Sequence, residues 1–327
     1  MQCVYSRTLW CWYTMNSVSV VIPARNAAKT IKFAVNSVLA SPFVGEVIVI
    51  DDCSTDKTAS IVEGLRQQKV ILAAGPGSGI SDALNIGYSL AKFPFIARCD
   101  ADDWYPEDRL ERQVKWLNAN NDFVATCGGF TTVTERGQLI AEMAMSGEEC
   151  EITDELLSGK TRTHFCTSLI RREAIDRVGG ARRWFETGED NDLQFRLAGE
   201  GKVCFQPENT YFYRLHDASI IHTQSTALRD FFEEHGTIFA LQRRARGFDD
   251  LDSGRPPNPP TGLSTLANSA RAHATRLFEG QIWHAFKGGD TSGSLKHLWR
   301  ALREFPNSRV IWRTAFVMLF KLALRRK

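Results

Sequence analysis

The sequence predicts an α/β fold: a doubly wound, mostly parallel sheet with a helical appendage at its C-terminal end. Two observations support this. Between residues 18 and 119, short apolar runs alternate with helically spaced apolar residues, which is the pattern of a parallel sheet. Beyond residue 226 helical patterns prevail, and a proline-rich stretch interrupts them.

The strands of the first half are short runs rich in Val, Ile and Phe. They are predicted at residues 18–22, 46–50, 70–72 and 95–99. A helix follows each strand, and Asn26 is the expected N-cap of the first. The second helix is predicted to begin near Asp56, a glycine-rich turn at 75–79 precedes the third, and Pro106 suits the first turn of the fourth.

The second half of the chain is less regular. A short helix is expected before Gly179, another after Asp190, and late strands at 203–205 and 211–214. We divide the chain into an N-terminal extension (1–15), an α/β domain (16–225) and a helical C-terminal region (226–327). The last region contains a linker around 249–262, which holds four of the 11 prolines, and a basic amphipathic tail.

Composition excludes several classes of protein. The 327 residues are 43% hydrophobic and 24% charged, ordinary values for a globular protein, and the net charge of +2 gives no case for nucleic-acid binding. The eight cysteines are scattered without a Cys-x-x-Cys pair, which argues against a zinc site or a disulfide framework. No run is long enough to cross a membrane, and we expect a protein of the reducing cytoplasm.

The most informative segment is Arg98-Cys99-Asp100-Ala101-Asp102-Asp103-Trp104, which follows the fourth strand. Its three carboxylates repel one another, and burial increases that cost. A divalent cation such as Mg²⁺ or Mn²⁺ would remove the cost, because hard ions prefer carboxylate oxygens. The alternative is an acidic surface turn that caps the next helix, and the segment alone favours neither interpretation.

Polar clusters follow three of the predicted strands at the points where they end. Residues 23–26 follow the first strand, Asp51 and Asp52 follow the second, and residues 100–103 follow the fourth. Ligands of parallel α/β sheets bind outside the carboxyl ends of the strands. The three clusters therefore predict one site at one edge of the sheet.

Four segments, taken in order, resemble the family-2 glycosyltransferases, which have the GT-A nucleotide-sugar-binding fold. They are SVVIPARN (19–26), VIDDCSTD (49–56), IARCDADDWYPEDRLERQ (96–113) and GEDNDLQFRL (188–197). A fifth segment, YRLHDAS (213–219), resembles the loop that closes the family's catalytic domain. The resemblance covers residues 17 to about 222 and implies an inverting transferase with a nucleotide diphosphate-sugar donor, expected to be a UDP-sugar.

The resemblance also implies a metal site for Mn²⁺ or Mg²⁺, which would neutralise the diphosphate. Asp102 is the implied metal ligand, and Asp100 contacts the ribose or the metal. His216 is a further candidate ligand of the metal or the diphosphate, and a structural histidine is the alternative.

Further residues are implied to bind the nucleotide sugar. Asp52 would accept a hydrogen bond from uracil, and Pro23, Ala24 and Arg25 would line the nucleoside pocket. Arg25 stands where family members often have Tyr, although a guanidinium plane can also stack on a base. Gly79 and Ser81 would approach the ribose; a plain loop and helix cap is the alternative for them.

The implied catalytic residues are Glu189 and Asp190. Asp190 would be the general base, which takes the proton of an acceptor hydroxyl as its oxygen attacks the anomeric carbon. The alternative is that both acids cap the helix that begins at Asn191. The expected acceptor is a glycan or a lipid-linked saccharide in cell-surface polysaccharide biosynthesis.

Two other functions stay open. One is a sugar nucleotidyltransferase, although the glycine-rich basic loop that those enzymes carry after the first strand is missing from residues 23–27. The other is a non-catalytic scaffold protein that binds nucleotide sugars, although Asp102 and Asp190 are both intact.

The C-terminal tail differs in charge from the rest of the chain. From Leu295 to Lys327 there are nine Lys or Arg residues and one acid, Glu304, so the tail has a formal charge of +8 and the remainder −6. Arg313 and Lys321 flank the apolar stretch 315–320, which suits a helix in peripheral contact with an anionic membrane surface. The alternative is a helix packed on the α/β domain with its charges in solvent.

Overall fold

A computed structural model of the chain describes residues 16–216, 226–261 and 270–325, so the predicted extension lies outside the described residues. The chain forms two compact units. The first comprises the described residues of Met1–Phe130, Ala144–Tyr213 and Ala227–Gly262, and the second those of Thr131–Met143, Arg214–Thr226 and Leu263–Lys327. Both units are discontinuous in sequence, whereas the predicted domains are continuous.

The first elements of the α/β unit match the predicted ones in order and type. Four strands, β1 (Val18–Ala24), β2 (Val44–Asp51), β3 (Val70–Ala74) and β4 (Phe95–Arg98), alternate with helices. These helices are α1 (Ile31–Leu39), α2 (Thr58–Gly64), α3 (Ile80–Leu90) and α4 (Arg109–Ala119).

The later elements depart further from the sequence patterns. The strands are β5 (Phe123–Val133), β6 (Leu139–Met143), β7 (Cys150–Glu151), β8 (Leu169–Arg171) and β9 (Lys202–Arg214). The helices are α5 (Thr153–Leu157), α6 (Arg172–Val178), α7 (Glu189–Leu197) and α8 (Thr226–Arg246), followed by α9 (Ala270–Lys287), α10 (Thr291–Glu304) and α11 (Arg309–Arg325). The two predicted late strands are parts of β9, and β5 was not predicted.

The sheet has the order β3-β2-β1-β4-β8-β5-β9-β7, and β6 pairs with β5. Strand β1 pairs in parallel with β2 and with β4, and Val20 stands opposite Val47 on one side and Ala97 on the other. Strand β8 pairs antiparallel with β4 and with β5. The predicted α/β class and the helical C-terminal region are confirmed, and antiparallel strands extend the parallel part.

Strand β1 is buried on both faces of the sheet. Val21 packs into one apolar cluster with Ile48, and Val20 packs into the other cluster with Val35. Such a strand reads as a continuous apolar run, because neither face meets water. Each fully buried Val or Ile contributes roughly 1.5–3 kcal/mol. The one buried polar side chain of β1, Ser19, donates its hydroxyl to Glu46 Oε1 of β2 at 2.7 Å. The polar residues of the candidate site follow the carboxyl end of the strand.

Candidate active site

The carboxyl ends of β1, β2 and β4 lie next to one another. Ala24 at the end of β1 stands opposite Asp51 at the end of β2, and Val21 stands opposite Arg98 at the end of β4. The Asp52 N–H donates to the Ala24 carbonyl at 2.8 Å. The three polar clusters therefore meet at one edge of the sheet, as the order of the motifs predicts.

Asn26 joins two loops of this edge and does not cap α1. Its Oδ1 accepts from the Thr55 N–H at 2.8 Å, and its own N–H donates to Ser54 Oγ at 2.9 Å. Its φ of 53° lies in the left-handed region, which Asn tolerates better than most residues. The residue before α1 is Thr30, which makes no side-chain cap bond. The expectation that Asn26 is the N-cap was wrong; its amide ties the loop after β1 to the loop after β2.

The three residues predicted to line the nucleoside pocket differ in exposure. Ala24 is buried, Pro23 is half-buried and the Arg25 side chain is exposed. Of the three, Arg25 presents the most side-chain surface to a ligand. This exposure is compatible with its predicted stacking on the base.

Asp52 orders the glycine-rich loop that precedes α3. Its buried carboxylate accepts from the Gly77 N–H at 2.7 Å, and Gly77 has a φ of 74°, which favours glycine. A Cβ atom on Gly75 would lie 2.6 Å from Asp52 Oδ1, so only glycine allows this close approach. This structural role was not predicted from the sequence, and the contact of Asp52 with a base stays a prediction.

Gly79 and Ser81 begin α3. Gly79 has a φ of 116°, and nothing lies within 4 Å of where its Cβ atom would be. Ser81 is buried, and its hydroxyl donates to the Phe185 carbonyl at 3.4 Å. The Ser81 hydroxyl thus helps to pack α3 against the segment before α7, and the ribose contact of both residues stays a prediction.

Asp100 is held by three neighbours. Arg98 Nε donates to Asp100 Oδ1 at 2.7 Å, Cys166 Sγ lies 3.5 Å from Oδ2, and the Asp100 N–H donates to Tyr211 OH at 2.9 Å. Burial opposes ionisation of this carboxyl, but the charges of Arg98 and His164 outweigh it and lower its pKa. Asp100 is therefore an ionised carboxylate fixed in orientation.

The same arginine reaches the start of α7. Arg98 Nη1 donates to Glu189 Oε1 at 3.0 Å, and both side chains are almost fully buried, at 6% and 7% exposure. Burial, together with the neighbouring Asp190 charge, raises the pKa of Glu189 to about 7, although Arg98 opposes this. Asp190 is half-buried, and its Oδ1 accepts from the Asn191 N–H at 2.9 Å. One guanidinium thus links the two acidic motifs that the sequence singled out.

A second charge cluster anchors α7. Asp192 is completely buried and accepts from Arg182 Nε at 2.9 Å and from Arg196 Nε at 2.8 Å. Arg182 also donates through Nη1 to Asp249, which is buried too, at 2.7 Å. The stretch predicted as a linker is a loop, but Asp249 near its start is part of the packed interior.

Arg98 and Asp192 were not assigned a role from the sequence. A signal existed for Arg98, because a charged residue directly after an apolar strand needs a partner when it is buried. No comparable signal distinguishes Asp192 within the acidic run 189–192. Glu189, one partner of Arg98, lies 91 positions away in the chain. Asp192 pairs with Arg182 and Arg196, which are near in sequence, and the more distant Asp249 completes its cluster.

Asp102 is half-buried beside Asp100. Within the ranges that the structure describes, no three His, Cys, Asp or Glu side chains are grouped to hold a metal ion. Mg²⁺ is usually held by one or two carboxylates and completes its coordination with water and substrate phosphates. A partly exposed carboxylate fits a cation that binds together with a diphosphate, so Asp102 stays the predicted ligand.

His216 belongs to the second unit. It is half-buried there and lines a cavity of about 490 Å³ together with Arg136, Arg271 and Glu304. Its assignment to the metal or the diphosphate stays a prediction.

The α/β fold, with acidic motifs at one edge of its sheet, is the GT-A fold of the glycosyltransferases that the sequence resembles. Residues 19–179 match the family described as Glycosyl transferase family 2. The chain belongs to this family and is a glycosyltransferase.

Several characterised and uncharacterised bacterial proteins are similar in sequence. An uncharacterized glycosyltransferase of Rickettsia typhi is 27% identical over 221 residues, which cover 65% of this chain and 69% of that protein. The hyaluronan synthase of Pasteurella multocida is 27% identical over 252 residues, which cover 73% of this chain and 25% of the synthase. The succinoglycan biosynthesis protein ExoO of Rhizobium meliloti is 28% identical over 218 residues, 62% of each chain.

The fold is also found in a solved structure, that of S. aureus TarS residues 1–349 in complex with UDP-GlcNAc. The TM-score is 0.57 at 15% identity, and the match covers 90% of this chain and 93% of that one. At this identity the likeness bears on the fold alone.

Proposed function

We propose that this glycosyltransferase moves a sugar from a UDP-sugar to a hydroxyl group of a growing glycan or lipid-linked saccharide, with inversion at the anomeric carbon. The observation that carries the proposal is the pairing of Arg98 with both Asp100 and Glu189. It brings the end of β4, where the donor diphosphate would bind, next to the start of α7, where the predicted base stands.

The donor site is proposed at the ends of β1, β2 and β4. Asp52 would accept a hydrogen bond from the uracil N–H, with Pro23, Ala24 and Arg25 beside the nucleoside. Asp100 would contact the ribose or the metal, and Gly79 and Ser81 the ribose. The solved complex of TarS with UDP-GlcNAc supports a donor of this class.

Asp102 is the proposed ligand of Mn²⁺ or Mg²⁺. When bound, the cation would stabilise negative charge on the departing diphosphate. The donor set is made of hard oxygen ligands, which suits these two ions better than softer metals.

Asp190 is the proposed general base. Its carboxylate would take the proton of the acceptor hydroxyl while the hydroxyl oxygen forms a bond to the anomeric carbon. The bond from that carbon to the diphosphate oxygen breaks, and its electron pair leaves with the nucleoside diphosphate. Because the nucleophile and the leaving group are on opposite faces, one displacement inverts the anomeric configuration. Glu189, buried against Arg98, would position Asp190.

The proposed role is in polysaccharide biosynthesis on the cytoplasmic side of a membrane. The names of the hyaluronan synthase and of the succinoglycan biosynthesis protein support a glycan acceptor. The six cysteines within the described ranges are all free thiols, in keeping with a reducing compartment.

A ligand panel tests the donor assignment. Thermal unfolding is followed with UDP, GDP, UDP-sugars and sugar 1-phosphates, each with and without Mn²⁺, because a ligand that binds the native state raises its stability. We expect a rise in Tm with UDP and UDP-sugars that depends on Mn²⁺. A rise in Tm with GDP alone would overturn the choice of uracil.

An activity assay tests the alternative reaction. Conversion of a sugar 1-phosphate and UTP to a UDP-sugar would show nucleotidyl transfer and overturn the proposed sugar transfer.

A further inference from the structure

Helix α11 (Arg309–Arg325) is apolar on two opposite faces. Ile311, Ala315 and Met318 are buried, as expected of a helix packed on its neighbours. The other face is open to solvent, yet it carries large apolar side chains: Trp312 is 56% exposed, Phe316 73%, Leu319 52% and Phe320 58%. A helix that is hydrophobic all round is normally buried, so the exposed face lacks the environment that its composition suits.

The exposed aromatic residues of α11 form one continuous stripe. Trp312, Phe316 and Phe320 follow one another at intervals of four residues, which places them on one side of the helix. The rings of Phe316 and Phe320 stack with centroids 6.5 Å apart. The stripe is therefore an ordered apolar surface.

Helix α10 also exposes large apolar side chains. Trp299 is 61% exposed and Leu295 42%. The guanidinium of Arg303 lies 5.4 Å from the Trp299 ring. Tryptophan beside arginine is a frequent combination where a protein meets the interface between lipid and water.

Basic residues surround these apolar side chains. Those whose side chains the structure describes are Lys296, Arg300, Arg303, Arg309, Arg313 and Lys321. The only acid between residues 291 and 327 is Glu304. No helix within the described ranges is long and apolar enough to cross a membrane. The exposed surfaces of α10 and α11 thus combine aromatic rings with positive charge.

We propose that the exposed faces of α10 and α11, which we call the aromatic–basic face, dock on the surface of an anionic lipid bilayer. The rings enter the headgroup boundary, and the Lys and Arg side chains contact lipid phosphates. Charge decides against a second copy of the chain as the occupant, because two such basic faces repel each other. The proposal goes beyond the assignment of donor and base and does not depend on either.

Vesicle binding of the full chain tests the proposal. The protein is sedimented with vesicles of phosphatidylcholine alone and with vesicles that also contain phosphatidylglycerol, in the absence of nucleotide. We expect binding to the anionic vesicles, weaker binding to the neutral ones, and loss of binding as salt is raised. Equal binding to both vesicle types, or none to either, would overturn the proposal.

Two sets of variants separate the apolar contribution from the charge. Phe316→Ser/Phe320→Ser should lower the partition coefficient on anionic vesicles about tenfold or more, because two exposed rings no longer enter the interface. Lys296→Gln/Arg309→Gln should lower it several-fold on anionic vesicles and leave neutral vesicles unaffected.

The matched control is Leu241→Ser/Phe248→Ser. These two side chains are 48% and 46% exposed but belong to the first unit. The control should bind vesicles as the wild type does.

Two outcomes would show that the face is wrongly assigned. In one, the control loses as much binding as Phe316→Ser/Phe320→Ser; in the other, Phe316→Ser/Phe320→Ser retains full binding. If the wild type does not bind vesicles but sediments as a dimer that Phe316→Ser/Phe320→Ser dissociates, the occupant is a second copy. Sugar transfer to a soluble acceptor should be the same in all variants, so failure here leaves the proposed reaction unaffected.

Discussion

Arg98 Nη1 donates to Glu189 Oε1 at 3.0 Å, while Nε of the same guanidinium donates to Asp100 Oδ1 at 2.7 Å. The arginine is almost completely buried, and the ionised Asp100 carboxylate compensates its charge in a medium of low polarity. The pairing fixes the distance between the end of β4 and the start of α7. One residue thus links the segment of the proposed metal ligand to the segment of the proposed base.

Replacement of Asp190 by Asn should abolish transfer and keep donor binding. An amide cannot accept the acceptor proton, and loss of a general base typically costs about 10²- to 10⁴-fold in rate. The initial rate of UDP release measures transfer, and the shift in Tm with UDP measures donor binding. Asp230→Asn, at an exposed acid of α8, is the control. Normal activity in Asp190→Asn would exclude this residue as the base.

The contribution of Glu189 to stability should depend on pH. Burial, with the Asp190 charge, raises its folded-state pKa to about 7 from the ordinary 4.5, so the folded state binds the proton more tightly than the unfolded state does. Ionisation of the buried carboxylate therefore lowers the free energy of unfolding. This loss is fully present above about pH 7 and absent below about pH 4.5.

In Glu189→Gln this dependence is removed. The free energy of unfolding of the wild type minus that of the variant should fall by up to ~3 kcal/mol as the pH rises across this window, since one pKa unit is about 1.4 kcal/mol. Urea unfolding at several pH values measures it, with the exposed Glu173→Gln as control. Parallel pH curves for the wild type and Glu189→Gln would contradict a raised pKa.

Replacement of Asp102 by Asn should remove the effect of Mn²⁺ on donor binding. A neutral amide is a poor ligand for a hard divalent ion, and the carboxylate supplies the charge that holds it. The increase in Tm that UDP gives should become the same with and without Mn²⁺. Asp122→Asn is a control at a largely exposed carboxylate, 61% by side chain. If Mn²⁺ still increased the effect of UDP on the Tm of Asp102→Asn, Asp102 would not be the ligand of the metal.

A methyl group on Gly75 should weaken donor binding. Its Cβ atom would lie 2.6 Å from Asp52 Oδ1 and 3.0 Å from Asp52 Cα, so the side chain proposed to contact the base must move. We expect Gly75→Ala to raise the KM for the donor at least about tenfold, because misplacement by one ångström is costly at a binding site. Gly64→Ala, where nothing lies within 4 Å, should leave KM unchanged. Equal KM values in both variants would show that Asp52 does not contact the donor.

Loss of the Asp192 charge should destabilise the first unit. Its buried carboxylate compensates Arg182 and Arg196, and removal of one partner from a buried charge cluster typically costs about 3–5 kcal/mol. Chemical unfolding of Asp192→Ala measures the loss. The control is Asp176→Ala, because an exposed pair such as that of Asp176 with Arg172 contributes about 0–1 kcal/mol. A similar small loss in both variants would contradict the anchoring role.

Much of the parallel part of the sheet was predictable. The strands from Val18 and from Phe95 are mostly apolar, because a central strand is buried on both faces; Ser19 and Arg98 are the polar exceptions. The long strand β5 was missed, because its Cys, Gly and Thr residues do not form a simple apolar run. Asn26 was misread because its residue type suits both a helix cap and a left-handed turn, and only contacts with the next loop distinguish them.

By itself, the sequence determined the α/β class, the order of the first strands and helices, and the acidic motifs at residues 100–103 and 189–190, because periodicity and strand-end residues are local properties. The tertiary structure alone decided that Arg98 pairs with Glu189, 91 positions away, and that Asp192 lies at the centre of a buried charge cluster. It also decided which apolar face of α11 is buried and which is exposed. These facts depend on packing between segments that are distant in the chain, and no local pattern of residues encodes that packing.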